Sequence, residues 1–521
     1  MKTISTEGAM LQTATAAVDW YILAPVVIPL VTAAILIIFR RAVGLHPYIA
    51  LLALAANIYA SFELLIKVKL EGPLAMTMGN WLPPFGISFA ADLLGAILTL
   101  TSSLAVFCVA LYGMGDASSR ERRFGFYPLI LTLLVGVNGS FLTGDIFNLY
   151  VWFEVFVISS FGLIVLGGTR KQLDGAVKYC FLSLIATTLF LIATGYLYGL
   201  YGTLNMADLS KIVAPLKFEG PLVVVSALYL LAFSMKAAAF PLYFWLPASY
   251  HTPKIVVSAL FAGLLTKVGA YSLLRTFTIT LPVAGDSWLM DVMFYVGVGT
   301  AICGALGAIA QTDLRRLFSF LLVASIGFML IGISIGTETA LSATIFYMVH
   351  SILIMTALFL IAGVIYEHRG SLDLRSLSGM NKDLPLLSLL FLGLGFVAMG
   401  FPPFSGFWPK MILISETIKQ EVYLGTFAII FSSFLSIISL GRAFAFGFWR
   451  PLTADAEDEV AVQAKQLTVY SKLQYVPVLL LMILVTLVGL LPGYLYDLSS
   501  LGAKGLVDTS SYIAAVFGGA L

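Results

Sequence analysis

Apolar residues run through this chain in blocks of about 20, the length at which a helix spans the hydrocarbon core of a bilayer. Short polar segments separate them. Fourteen blocks are predicted as helices: 20–40, 46–66, 88–112, 126–143, 146–168, 176–202, 221–247, 252–276, 288–311, 317–335, 340–364, 385–420, 424–448 and 474–494. The first ends at Arg40–Arg41 and is too long for a signal-peptide core, so it is read as a permanent helix. The one long polar stretch, 450–472, carries Asp455, Glu457, Asp458 and Glu459 and reads as a solvated loop.

Composition agrees with the pattern. The 521 residues are 60% hydrophobic and 11% charged, against about 25% charged in soluble domains. The fold class expected is an all-α polytopic membrane protein whose surroundings are the lipid bilayer. A net charge of +2 with dispersed basic residues gives no reason to expect a nucleic-acid partner. The three cysteines, Cys108, Cys180 and Cys303, are widely separated in apolar segments and suggest neither a disulfide framework nor a metal site. Basic residues crowd the loops after odd-numbered predicted helices, 18 against 8 on the other side with the termini. The positive-inside rule then places both termini outside the cytoplasm.

A few charges break the pattern. Of the 29 lysines and arginines, only Lys236, Lys267 and Lys410 are read as lying well inside apolar blocks, and Glu154 as the one acid so placed. A charge at membrane depth costs at least about 2.5–3.5 kcal/mol and usually marks an ion or proton path. The seventh block reads Lys236-Ala-Ala-Ala-Phe-Pro-Leu-Tyr-Phe-Trp-Leu-Pro247, and the twelfth Phe401-Pro-Pro-Phe-Ser-Gly-Phe-Trp-Pro-Lys410. Proline removes a backbone donor and disrupts a helix. Matching interruptions in two halves point to an inverted repeat with its ion path at the breaks. An ordinary proline kink is the plainer alternative.

Burial disfavours a charged lysine, and a nearby carboxylate favours it. An ion pair about 4 Å apart is worth about 4 kcal/mol at an effective dielectric near 20. Opening and closing a Glu154–Lys236 contact can therefore switch whether the lysine holds its proton; a permanent helix–helix staple is the structural alternative. His350, inside Phe346-Tyr-Met-Val-His350-Ser-Ile-Leu, can relay protons or simply pack in the core. His46, His251 and His368 lie near helix ends. Asp313 with Arg315 and Arg316 reads as a helix-end cluster, and Lys178 as an anchor or a point of proton uptake. No phosphate loop, dinucleotide glycine pattern or Cys/His cluster is present in the sequence, so no cofactor is expected. Any driving energy then comes from an ion gradient or a partner.

Three segments carry a family resemblance: Asn138-Gly-Ser-Phe-Leu-Thr-Gly-Asp-Ile-Phe-Asn-Leu-Tyr-Val-Trp-Phe-Glu154, Met235 to His251, and Leu260-Phe-Ala-Gly-Leu-Leu-Thr-Lys267-Val-Gly-Ala-Tyr. They resemble the antiporter-like subunits shared by Mrp-type Na+/H+ antiporters, respiratory complex I and membrane-bound hydrogenases, and are most like the D-type subunits of the first. The resemblance implies about 14 transmembrane helices with helices 4–8 and 9–13 as inverted five-helix repeats and helices 7 and 12 broken. The corresponding units are 1–112, 126–276, 288–448 and 474–521. It also implies a proton relay, Glu154–Lys236–Lys267–(His350)–Lys410, in a bacterial plasma-membrane complex with A, B, C, E, F and G type subunits that handles Na+. Relatives often carry a lysine one turn beyond the histidine, where this chain has Ile354 and Met355. Lys254 stands where many relatives have proline. A pumping subunit of a redox-driven complex is the other function the resemblance allows.

Overall fold

Inside a bilayer a chain must satisfy its own backbone groups, and apolar runs do so as helices. The computed structural model describes residues 19–518, apart from 80, 283–286 and 452–472. In chain order come α1 (Trp20–Ile38), α2 (His46–Glu71), the strands β1 (Leu74–Thr77) and β2 (Ser88–Ala91), α3 (Leu93–Asp116), α4 (Ser119–Arg123), α5 (Phe126–Leu142) and α6 (Ile146–Val165). Next are α7 (Arg170–Tyr201), α8 (Met206–Val213), α9 (Pro221–Ala237), α10 (Trp245–Ser249), α11 (Ile255–Arg275), α12 (Trp288–Ala310), α13 (Leu314–Ile335) and α14 (Glu338–Arg369). The remainder are α15 (Met380–Asp383), α16 (Pro385–Met399), α17 (Phe407–Lys419), α18 (Tyr423–Phe444), α19 (Tyr475–Leu490), α20 (Pro492–Val507) and α21 (Ser510–Phe517).

Among the described residues, 11 helical stretches are long and apolar enough to cross a membrane. The number is 12 if α19 and α20, bent by 79° at their junction, make one broken span. α5 and α16 are apolar but shorter. The acidic loop residues Asp455, Glu457, Asp458 and Glu459 lie outside the described residues.

Side-chain caps fix several helix starts. Asp92 accepts from the Gly95 N–H at 2.8 Å, Asp145 from Asn148 at 2.8 Å, and Asp313 from Arg315 and Arg316. The Asp92 cap corrects the sequence reading of a helix from residue 88. Residues 88–91 are instead a strand, paired antiparallel with β1 in the register Leu74↔Ala91, and the helix begins only after the cap.

The centre of the molecule is built on α11 and α14, whose most apolar windows are entirely buried. α2, α7 and α18 stand further out and turn apolar residues such as Leu52, Phe181 and Phe434 outward. α9 meets α11 where a glycine permits it: a Cβ on Gly269 would lie 2.6 Å from the Ala237 nitrogen. That close approach sets the Lys236 end of α9 directly against the buried central helix.

A second correction concerns Arg275. The hydropathy pattern puts it at the end of an apolar block, among the exposed basic residues, but it is 0% exposed. Its two terminal nitrogens donate to both oxygens of Asp92 at 2.6 and 2.8 Å, and its Nε donates to the Tyr271 hydroxyl at 3.0 Å. α21 covers it, with Tyr512 packed over the guanidinium at 5.5 Å. The chain therefore buries a fourth cation, held by an acid.

Candidate functional site

Both proline-containing segments break their helices. α9 ends at Ala237, and Ala238 takes the left-handed conformation with φ 60°, uncommon for a residue with a side chain. The Ala239 N–H returns to the Ser234 carbonyl at 2.9 Å, and the Trp245 indole donates to the Met235 carbonyl at 3.1 Å. The Phe240 N–H is taken up by the Thr300 hydroxyl at 2.8 Å. The freed groups of the first break thus find partners within the protein, as an irregular backbone at membrane depth requires.

The second break is closed differently. α16 ends at Met399, followed by Gly400 at φ 87°. Lys410, in the first turn of α17, reaches back across the gap and donates to the Met399 carbonyl at 2.9 Å, with the Ala398 carbonyl at 3.4 Å. An ammonium at the C-terminal end of a half-helix meets the negative end of its dipole. The same geometry recurs in transporter sites built on broken helices.

All three lysines read from the sequence are buried, and none forms an ion pair among the described residues. Lys236 donates to the Ser183 hydroxyl on α7 at 2.7 Å, with the Phe153 ring 5.9 Å away. Lys267 donates to the Ala262 carbonyl of its own helix at 2.7 Å. Neutral oxygens hold every one. The contrast with Arg275, locked bidentately to Asp92, is chemical. A buried cation with an anionic partner is pinned in its charged form, and one held by a hydroxyl or carbonyl is not.

Glu154 is half-buried on α6. The expected Glu154–Lys236 ion pair is not closed. His350 shares a hydrogen bond of 2.9 Å between its Nδ1 and the Ser405 hydroxyl in the second break. Gly406 packs on its ring, where a Cβ would stand 2.9 Å from Cε1. Ile354 and Met355 beyond it are buried apolar side chains and add no polar step.

Sequence reasoning missed several groups. Ser183 and Ser405 carried no signal, because hydroxyls are common in these helices. Glu416, 3% exposed on α17, accepts from the Thr337 hydroxyl at 2.8 Å and Gln420 at 2.9 Å. With Asp92 and Asp145 also buried, Glu154 is not the only deeply placed acid. Burial pushes the Asp145 carboxyl up to about 6. Burial and then the Arg316 charge push the His251 imidazole down from its ordinary value. Arg316 donates to its Nε2 at 3.2 Å, which suits a neutral ring at a helix end. Lys178 is tied to Asp174 in an exposed pair. Lys254, unexplained by sequence, binds Glu121 at 2.7 Å.

Residues 143–436 match the family described as NADH:quinone oxidoreductase/Mrp antiporter, TM. The chain is 34% identical over 496 residues to the D-type subunit of the Na(+)/H(+) antiporter of Alkalihalophilus pseudofirmus, covering 95% of this chain and 99% of that one. It is 33% identical, with the same coverage, to the corresponding D-type subunit of the Bacillus subtilis Na(+)/H(+) antiporter. Its fold matches a chain of the Mrp complex from Dietzia with a TM-score of 0.89 at 27% identity, over 96% of this chain and 100% of that one. A chain of the archaeal membrane-bound sulfane sulfur reductase matches at TM-score 0.86, covering 96% and 100%, but at 24% identity that likeness concerns the fold alone.

Proposed function

This chain belongs to the NADH:quinone oxidoreductase/Mrp antiporter family, and from that premise we propose that it is the D-type, proton-conducting subunit of a multisubunit Na+/H+ antiporter. It is a transporter subunit rather than an enzyme. It works among other Mrp membrane subunits of the A, B, C, E, F and G types in a bacterial plasma membrane, with both termini on the external side. Its 14 transmembrane segments count α5, the broken α9–α10 and α16–α17 pairs, and α19. Residues 126–276 and 288–448 form the two inverted repeats.

The observation that carries this reading is the set of three buried ammonium groups with only neutral partners. Each can lose or regain a proton without leaving a buried carboxylate unpaired. Their order along the molecule, Glu154–Lys236–Lys267–(His350)–Lys410, makes a path in which Glu154 approaches and leaves Lys236 to bias its protonation. His350, tied to Ser405, stands between the last two lysines. Sodium is handled by the complex.

The test is antiport in everted vesicles carrying the whole complex. Lys236→Ala and Glu154→Gln are expected to abolish sodium-driven proton movement at wild-type assembly. Antiport that persists in both overturns the relay. The family's description, which joins NADH:quinone oxidoreductase with the Mrp antiporters, favours one second reading, a redox-driven pump. Flavin or iron–sulfur subunits co-purifying with this chain would establish that reading instead.

A further inference from the structure

One cavity lies outside the relay. It has a volume of about 520 Å³ and opens between the ends of α3 and α14, α4, and the starts of α7 and α11. That is the side of the arginine-rich loops. Its charged lining is Asp116, Glu121 and Glu367 against Lys254 and Arg315, one negative charge in excess. Lys254 reaches in from the start of α11 and donates to Glu121 Oε2 at 2.7 Å and to the Asp116 carbonyl at 2.9 Å. The same Glu121 oxygen takes the Ser118 N–H at 2.8 Å and its hydroxyl at 2.6 Å. Glu121 is only 7% exposed. Burial pushes its carboxyl up, yet the Lys254 and Ser118 donors outweigh burial and hold it below the ordinary carboxylate value. It therefore stays charged.

Tyr112 is 1% exposed and lines the cavity, bringing a phenol oxygen to its wall. One buried oxygen of this lining has no partner among the described residues. That oxygen is Asp116 Oδ2, buried without a hydrogen-bond partner. A buried polar atom left unpaired costs about 1–3 kcal/mol. Carboxylate, phenol and carbonyl oxygens together form a hard donor set, which suits a hard cation rather than a soft one. The excess negative charge favours a cation over an anion, and the volume suits an ion with waters.

We infer that this cavity is a binding site for a small monovalent cation, sodium or hydronium, and that Lys254 is a tethered competitor for it. The ammonium occupies the carboxylate oxygens while the cavity is empty of mobile cations and swings aside when one enters. The site thereby gives the antiporter reading, on which this inference rests, a loading station on the basic-loop side.

The experiment measures binding without transport, so that its failure is separable from failure of the relay. The purified complex is titrated with sodium chloride, against matched choline chloride, at several pH values, and its unfolding midpoint recorded; a ligand of the native state raises that midpoint as it saturates. Lys254→Met is expected to lower the half-saturating sodium concentration at least threefold, Tyr112→Phe to raise it at least threefold, and Lys254→Arg to leave it near wild type. If the variants move the pH dependence instead, and sodium has no effect on the difference between them, the occupant is the hydronium ion and the site stands. If all three variants follow wild type in both sodium and pH, the site is overturned, whatever their antiport activity.

Discussion

The ammonium of Lys236 donates to the hydroxyl of Ser183 at 2.7 Å, across the α7–α9 contact and 53 residues away in the chain. A hydrogen bond to a charged group is worth about 1.5–3 kcal/mol, and more is at stake where water cannot replace it. Ser183→Ala deprives the charged lysine of its one acceptor among the described residues. Exchange in vesicles is expected to fall roughly tenfold, since about 1.4 kcal/mol corresponds to a factor of ten. Ser183→Thr, which keeps the hydroxyl, should retain most of it. A Ser183→Ala complex that exchanges at the wild-type rate would show that Lys236 is held by something else.

Arg275 and Asp92 make the opposite case, a buried cation that serves structure. Removing one partner strands the other, which costs about 3–5 kcal/mol, whereas replacing both with apolar residues is often tolerated. Arg275→Met alone should sharply lower the yield and unfolding midpoint of the complex. The double variant Arg275→Met with Asp92→Leu should recover much of the loss. A double-mutant cycle with additive losses would contradict the pairing.

The positions of the lysines and of the breaks were legible because each violates a local rule. A charge interrupts an apolar run, and a proline lacks the N–H a helix needs. Partners were not legible in the same way. Whether Lys236 meets Ser183 or Glu154 depends on how α6, α7 and α9 pack, and all three carry similar apolar runs. Arg275 escaped notice because it ends its run. Hydropathy sees an exposed terminus there, and only the covering α21 buries it. Residues 88–91 joined the following helix in the sequence reading for a related reason: they are as apolar as a helix start, and the Asp92 cap is visible only through its bond to Gly95. Glu416 was hidden beside Lys419 and Glu421, polar neighbours that made the end of its helix look solvated.

Asp145 makes the stability depend on pH. Its carboxyl sits at about 6 because burial disfavours the charge, with the Asn148 and Phe147 N–H groups opposing. An unfolded aspartate titrates near 3.9, so the folded state binds the proton more tightly. The contribution is fully present below about 4 and is lost as pH rises through about 6. Asp145→Asn keeps a good N-cap and removes the titration. The difference in unfolding midpoint, variant minus wild type, should rise between pH 4 and 6 and be flat above. Parallel curves across that window would refute the assignment.

Gly406 tests whether the second break must keep its shape. A Cβ there would stand 2.2 Å from the Val397 carbonyl oxygen and 2.9 Å from His350 Cε1. The first of these is backbone and cannot yield without moving α16, the helix whose end Lys410 caps. Overpacking of this kind costs about 1–3 kcal/mol. Gly406→Ala should therefore push the break away from His350, stretch the Ser405–His350 hydrogen bond, and reduce exchange at least tenfold while the complex still assembles. Gly441 on α18 is the matched control, since nothing lies within 4 Å of its Cβ position. Gly441→Ala should be neutral or gain up to about 1 kcal/mol from helix propensity. If both substitutions leave exchange intact, the contact between the break and His350 has no part in proton movement, and the path must reach Lys410 without the histidine.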